Sequence, residues 1–73
     1  MWPIPQWLSE EIDEAQRAFS VTRRSRRHVV AWLYNYGQDL TSLPESELHR
    51  LILDANDDAA SPLSDELARS YGI

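Results

Sequence analysis

The sequence predicts an all-α fold, a compact bundle of three to four short helices forming one domain over residues 1–73. Three observations lead there. Apolar residues recur at i, i+4 and i+7 in successive segments, and prolines and glycines punctuate those segments as starts and stops. No segment shows the period of two that a half-buried strand requires, and no internal repeat is present. A chain of 73 residues buries only about 60% of its extended surface, so its stability margin is thin. It has no cysteine, which leaves neither disulfides nor thiolate metal sites to supplement the core.

The first helix opens at Pro5 and runs to about Phe19, with Leu8, Ile12, Ala15 and Phe19 on one stripe. Its acidic cluster, Glu10 to Glu14, lies early, where the helix macrodipole favours negative charge. Ahead of it, residues 1–4 form an extended lead-in, because Pro3 and Pro5 hold the backbone out and carry Trp2 with them. A second helix is expected from Thr22, as N-cap, to Gly37, as C′ residue. Val29, Leu33 and Tyr36 face its core, with Trp32 on the flank. The third begins at Ser42-Leu43-Pro44-Glu45, which has capping-box spacing with proline in the first turn, and buries Leu48, Leu51, Ile52 and Ala55. The fourth is cued by Ser61-Pro62, carries Leu63, Leu67 and Tyr71, and stops at Gly72.

Charge is unevenly distributed. The net charge is -5, yet four arginines and a histidine fall within Arg23–His28. All seven basic residues are arginine, a pattern that GC-rich coding produces and that selection for planar, forked donors also produces. On the expected second helix, Arg23, Arg27, Val30 and Tyr34 share one outer stripe and Arg24, His28 and Asn35 the next. Cations in first turns oppose the dipole and repel one another, so folding gains nothing obvious from them. Two readings stand. Either the arginines pair with Glu10, Glu11, Asp13 and Glu14 in a solvated seam, or they form a binding surface beside aromatics, a composition common at hot spots. The candidate partner-binding residues are therefore Trp2, Trp7, Arg23, Arg24, Arg27 and Tyr34. Trp2 is either a lid over the helices or an anchor for a partner.

Other chemistries find less support. A helix-turn-helix would present Glu45 and Glu47 to phosphates, and the connection Gly37 to Thr41 exceeds the usual turn. Asp54-Ala55-Asn56-Asp57-Asp58 imitates the opening of an EF-hand loop. Ala59 stands where glycine is wanted, Pro62 interrupts, and position twelve is Asp65. His28 has no acidic residue at i±3 or i±4, His49 has Glu45 at i-4, and no nucleophile elbow, phosphate loop or metal-ligand spacing occurs. The expectation is a non-enzymatic protein without cofactor or metal. With no long apolar run and no signal-like head, it is expected in the cytoplasm, away from membranes, as a monomer.

In length, helical pattern, acidity and arginine-only basic usage, the chain from MWPIPQW to ARSYGI resembles the small host-takeover transcription regulators of lytic bacteriophages. The resemblance implies a partner, host RNA polymerase in the bacterial cytoplasm, with nucleic acid in reach inside the complex. It also implies two effects: inhibition of initiation by displacement of the σ factor, and suppression of termination. Two alternatives remain open, a nucleic-acid binder using the Arg23–Arg27 ridge and an acidic mimic of DNA that occupies a host enzyme.

Overall fold

The computed structural model describes residues 4–73, so the expected extended path of Trp2 and Pro3 lies outside the described residues. Their regular structure is four helices: α1 (Gln6–Ala18), α2 (Arg26–Asn35), α3 (Glu45–Asp58) and α4 (Ser64–Ser70). The all-α expectation holds. None of these helices is long and apolar enough to cross a membrane.

α2 is the central element, packed against both α3 and α4, while α1 lies on α3. Leu8, Ile12 and Ala15 of α1 meet Leu48, Ile52 and Ala55 of α3 in one core, which Val29, Val30 and Leu33 complete from α2. Two packing partners explain why α2 buries more than one stripe: Val30, expected on the outer ridge, is fully buried, as is Ala31. One polar contact crosses this interior. The Gln16 amide donates to Asn56 Oδ1 at 2.7 Å, joining α1 to α3 with both side chains buried.

Helix boundaries depart from the sequence reading at the starts of α2, α3 and α4, whereas α1 stops within a residue of the expected Phe19. α1 ends in a Schellman motif, in which the Val21 N–H bonds to the Gln16 carbonyl and the Ser20 N–H to the Arg17 carbonyl. Ser20 holds the left-handed position at φ 52°, where glycine is usual, so no composition cue marks it. The turn throws Phe19 off the inward stripe, and it is 56% exposed. Consequently α2 starts at Arg26, not at Thr22, and residues 21–25 form no helix. That start removes Arg23 and Arg24 from the first turn, where the dipole would oppose them. Gly37 and Gly72 act as expected, each with positive φ just beyond its helix.

The Ser42–Glu45 capping box does not form, since α3 begins one residue after Pro44. The Asp39 carboxylate instead accepts from the Thr41 N–H and hydroxyl, an Asx turn that closes the loop. At α4 the buried side is Ser64 and Ala68, whereas Leu63 and Tyr71 are exposed and Leu67 half-buried. α4 begins only at Ser64, which leaves Leu63 in the preceding turn.

Replacing Ser20 with glycine relieves the left-handed backbone at no packing cost. Ser20→Gly is expected to stabilise the fold by about 0.5–1 kcal/mol, read as a higher urea midpoint at unchanged slope. Gln16→Leu is expected to cost about 1–3 kcal/mol, because Asn56 is left buried without its donor. The double variant Gln16→Leu, Asn56→Leu should recover part of that loss in a double-mutant cycle.

Candidate macromolecular interface

The arginine cluster divides into committed and uncommitted members, and Asp13 decides which is which. Asp13 faces outward from the middle of α1 and receives the Arg26 guanidinium in a short hydrogen bond. Arg23 approaches the same carboxylate at 4.0 Å. The Arg26 hydrogen bond, aided by the charges of Arg26, Arg23 and Arg17 against an opposing push from burial, holds the Asp13 carboxyl below the usual carboxylate range. This bridge ties the 21–25 segment and the first turn of α2 back onto α1. Part of the cluster is thus the solvated seam that the sequence allowed.

Arg24 and Arg27 are exposed, and neither meets a carboxylate within salt-bridge distance among the described residues. Arg27 also acquires a neighbour no linear reading could supply. Together with Arg69 of α4 it lines a shallow hollow of about 310 Å³ that includes His28, Asp65 and Ala68. His28 Nε2 lies 2.8 Å from Asp65 Oδ1, so the Asp65 carboxylate is engaged by the imidazole and not by either arginine; Ile73 completes the lining. The separation of Arg27 from Arg69 by 42 positions hides this pairing of cations; only the packing of α2 on α4 creates it.

The remaining candidates lie apart from that hollow. Tyr34 is two turns along α2 from Arg27, half-buried, with its ring 6.3 Å from that of Tyr71. Burial raises its phenol above the ordinary value. Trp7 is 40% exposed on α1, six residues and about 9 Å along the axis before Asp13. It walls a separate groove with Leu40, Leu43, Leu48 and two acids, Glu11 and Glu45. Trp2 lies outside the described residues. The structure therefore gathers Arg27 with Arg69 and keeps Trp7 on a different, acidic face.

The EF-hand imitation is resolved by geometry. Asp54 to Asp58 are helical, the last turn of α3, and form no cation loop. Asn56 is turned inward to Gln16, and Asp58 accepts the Tyr36 hydroxyl in a short hydrogen bond. Burial first, then that bond and the nearby charges of Asp58, Asp54 and Asp57, keep the Tyr36 phenol protonated well above its ordinary range. His49 also has a closer acid than the one sequence spacing offered: Glu11 Oε2 at 3.0 Å, against Glu45 Oε1 at 3.9 Å. Among the described residues neither imidazole is hydrogen-bonded to a serine or threonine hydroxyl.

Compared with known proteins, the chain matches no family model, no curated protein and no solved structure.

The Asp13 seam sets a pH dependence. Its carboxyl titrates lower in the folded than in the unfolded chain, so its stabilisation is present above about pH 4 and lost as pH falls through the folded value. Asp13→Asn is expected to melt at a lower temperature than wild type at pH 6–7. The gap should close on acidification towards pH 2–3, followed by thermal melts across that range.

Proposed function

We propose that this chain is a non-enzymatic binding protein that docks on a large macromolecular assembly through Arg24, Arg27 and Arg69. The observation that carries the reading is the uncommitted guanidinium pair of Arg27 and Arg69 in one hollow, on a chain whose net charge is -5. Arg27, in the first turn of α2, opposes that helix's dipole and meets no carboxylate within salt-bridge distance among the described residues, so a partner of opposite charge is its natural complement. Arginine suits that task because its planar fork binds carboxylates and phosphates bidentately. The acidic remainder of the surface repels the dense, uniform charge of a free duplex more strongly than the sparser, mixed charge of a protein surface, which favours a protein partner with a local acidic patch. Host RNA polymerase is the assembly that the resemblance to phage regulators nominates. Docking there would inhibit initiation by displacing σ and suppress termination, without catalysis by this chain.

Direct nucleic-acid binding through the same arginines is the second reading. It makes a different prediction, a gel shift at physiological salt that weakens steeply as salt rises. The third, an acidic imitation of DNA, requires the carboxylates of α1 and of Asp54–Asp58 to share one surface. Glu45, which faces α1 beside Glu11, and Asp54 are nine residues apart on α3 and project about 180° from each other, so that reading gains nothing from the packing.

The double reversal Arg24→Glu, Arg27→Glu is expected to weaken binding to bacterial core RNA polymerase by about tenfold or more while far-UV dichroism stays unchanged. Arg26→Glu serves as the contrasting variant, since its loss should register in stability through Asp13. Unaltered polymerase affinity in the double reversal would sink the docking surface.

A further inference from the structure

The middle of α1 and the N-terminal half of α3 bring together a second set of charged side chains. Glu11 and Glu14 lie at i and i+3 on α1, and Glu45 and His49 at i and i+4 on α3. One ligand atom from each falls within 4.8 Å of every other. We propose that these four residues form a divalent-metal site that takes zinc, bridging α1 to α3.

Three features separate this cluster from an ordinary patch of surface acid. The first is its donor chemistry, an imidazole nitrogen among three carboxylates. Magnesium and calcium prefer all-oxygen sets, whereas imidazole with carboxylate suits zinc. The second is spacing. Tetrahedral zinc with bonds of about 2.0–2.1 Å places its donors about 3.3–3.4 Å apart. His49 Nε2 stands 3.0 Å from Glu11 Oε2 and 3.9 Å from Glu45 Oε1, on either side of that separation. Every donor pair in the set lies within 4.8 Å, so the widest stands about 1.5 Å or less beyond that separation.

The third is missing compensation. Asp13, between Glu11 and Glu14 on the same helix, is held by two arginines. Among the described residues, by contrast, no arginine pairs with Glu11, Glu14 or Glu45. Three carboxylates beside one imidazole leave an excess of negative charge that a dication relieves. His49 and Glu11 are the shielded donors, their side chains 15% and 28% exposed, while Glu14 and Glu45 reach the set from solvent. A groove of about 390 Å³, walled by Trp7, Leu40, Leu43 and Leu48, opens onto Glu11 and Glu45 and gives an ion its way in.

The position of the donors also fits a structural ion. α1 packs most heavily on α3, and a metal held by both would clamp that joint. The site uses neither Arg24, Arg27 nor Arg69, so it stands or falls apart from the docking surface.

The test uses the full chain stripped with chelator and titrated calorimetrically with zinc chloride in buffer containing millimolar magnesium. One equivalent should bind saturably, and at a hundredfold excess over Kd the melting temperature should rise by on the order of 10 °C. Cobalt(II) in place of zinc should develop the visible ligand-field absorption of a protein-bound, low-symmetry ion. Glu14→Gln, at an exposed position, should weaken zinc binding by about tenfold or more with unchanged dichroism, and His49→Gln should abolish the cobalt spectrum. His28→Gln, at the other imidazole, should bind as wild type does. The proposal is overturned by the absence of saturable one-to-one uptake, or by a folded Glu14→Gln protein whose zinc affinity equals that of wild type. Because Glu14→Gln removes no buried group, its result decides the matter even where His49→Gln does not fold.

Discussion

Between α1 and α3 the apolar layer of Leu8, Ile12, Ala15, Ile52 and Ala55 is crossed by the Gln16–Asn56 hydrogen bond. Apolar contacts are non-directional and oppose the sliding of one helix on another only through the fit of their shapes. A buried amide pair does not tolerate it. Sliding by a turn would leave a donor and an acceptor unpaired, at about 1–3 kcal/mol each, a large share of the stability of so small a domain. The other contacts between these helices follow from that register. With Gln16 on Asn56, Glu11 reaches His49 seven residues earlier on α3, which also shows that the two helices run in the same sense. Their N-termini therefore lie at one end of the molecule, where Glu45 and Glu47 occupy the first turn of α3 and the dipole favours them.

The same register fixes how the positive charge is shared. Asp13 is placed to receive Arg26 and Arg23, so α1 is tied to the start of α2 by charge as it is tied to α3 by packing. Two guanidinium groups are thereby occupied at the seam. Arg27 points elsewhere, onto α4, because Val29 and Val30 must both enter the core and so fix the rotation of α2. A mixed outcome for one run of arginines is what a helix start produces. Residues one apart in sequence project about 100° apart, and their neighbours differ accordingly.

How much of this is legible in the sequence depends on the range of the interaction. The inward stripes Leu8-Ile12-Ala15 and Leu48-Ile52-Ala55 are readable from periodicity, and the glycine stops at Gly37 and Gly72 from backbone sterics. The end of α1 near Phe19 is readable too, but the start of α2 is not: a serine holds the left-handed position where a glycine would mark the break, and the expected start moves forward from Arg26 to Thr22. Val30 reads as outward only if α2 buries a single stripe, whereas α2 meets two helices. Gln16 and Asn56 look like surface residues, and Asn56 looks like part of a calcium loop, since amides carry no signal of burial in composition. Arg27 with Arg69, and Glu11 with His49, are joined across 42 and 38 positions, and only tertiary packing reveals such sets. The i, i+3 and i, i+4 spacings of Glu11-Glu14 and Glu45-His49 are visible, yet each alone is the ordinary spacing of a surface pair.

The two charged constellations occupy different joints of the bundle, and that separation has a mechanical consequence. The acid–imidazole set spans α1 and α3, while the cationic hollow spans α2 and α4. α2 and α3 share the core that lies between them. An ion in the first set would tighten α1 on α3 and leave the α2–α4 surface unmoved, since no donor belongs to either of those helices. A partner seated on Arg24, Arg27 and Arg69 would press on α2 and α4, of which α2 meets α1 both through the Asp13 bridge and through the shared core. Coupling between the two sites therefore has two routes, the core joining α1, α2 and α3 and the Asp13 bridge. The bridge is solvent-exposed and screened by salt, which makes it the weaker conductor of force. The two sites share no residue, so two ligands of opposite charge can be held by one small domain without competing for the same side chains.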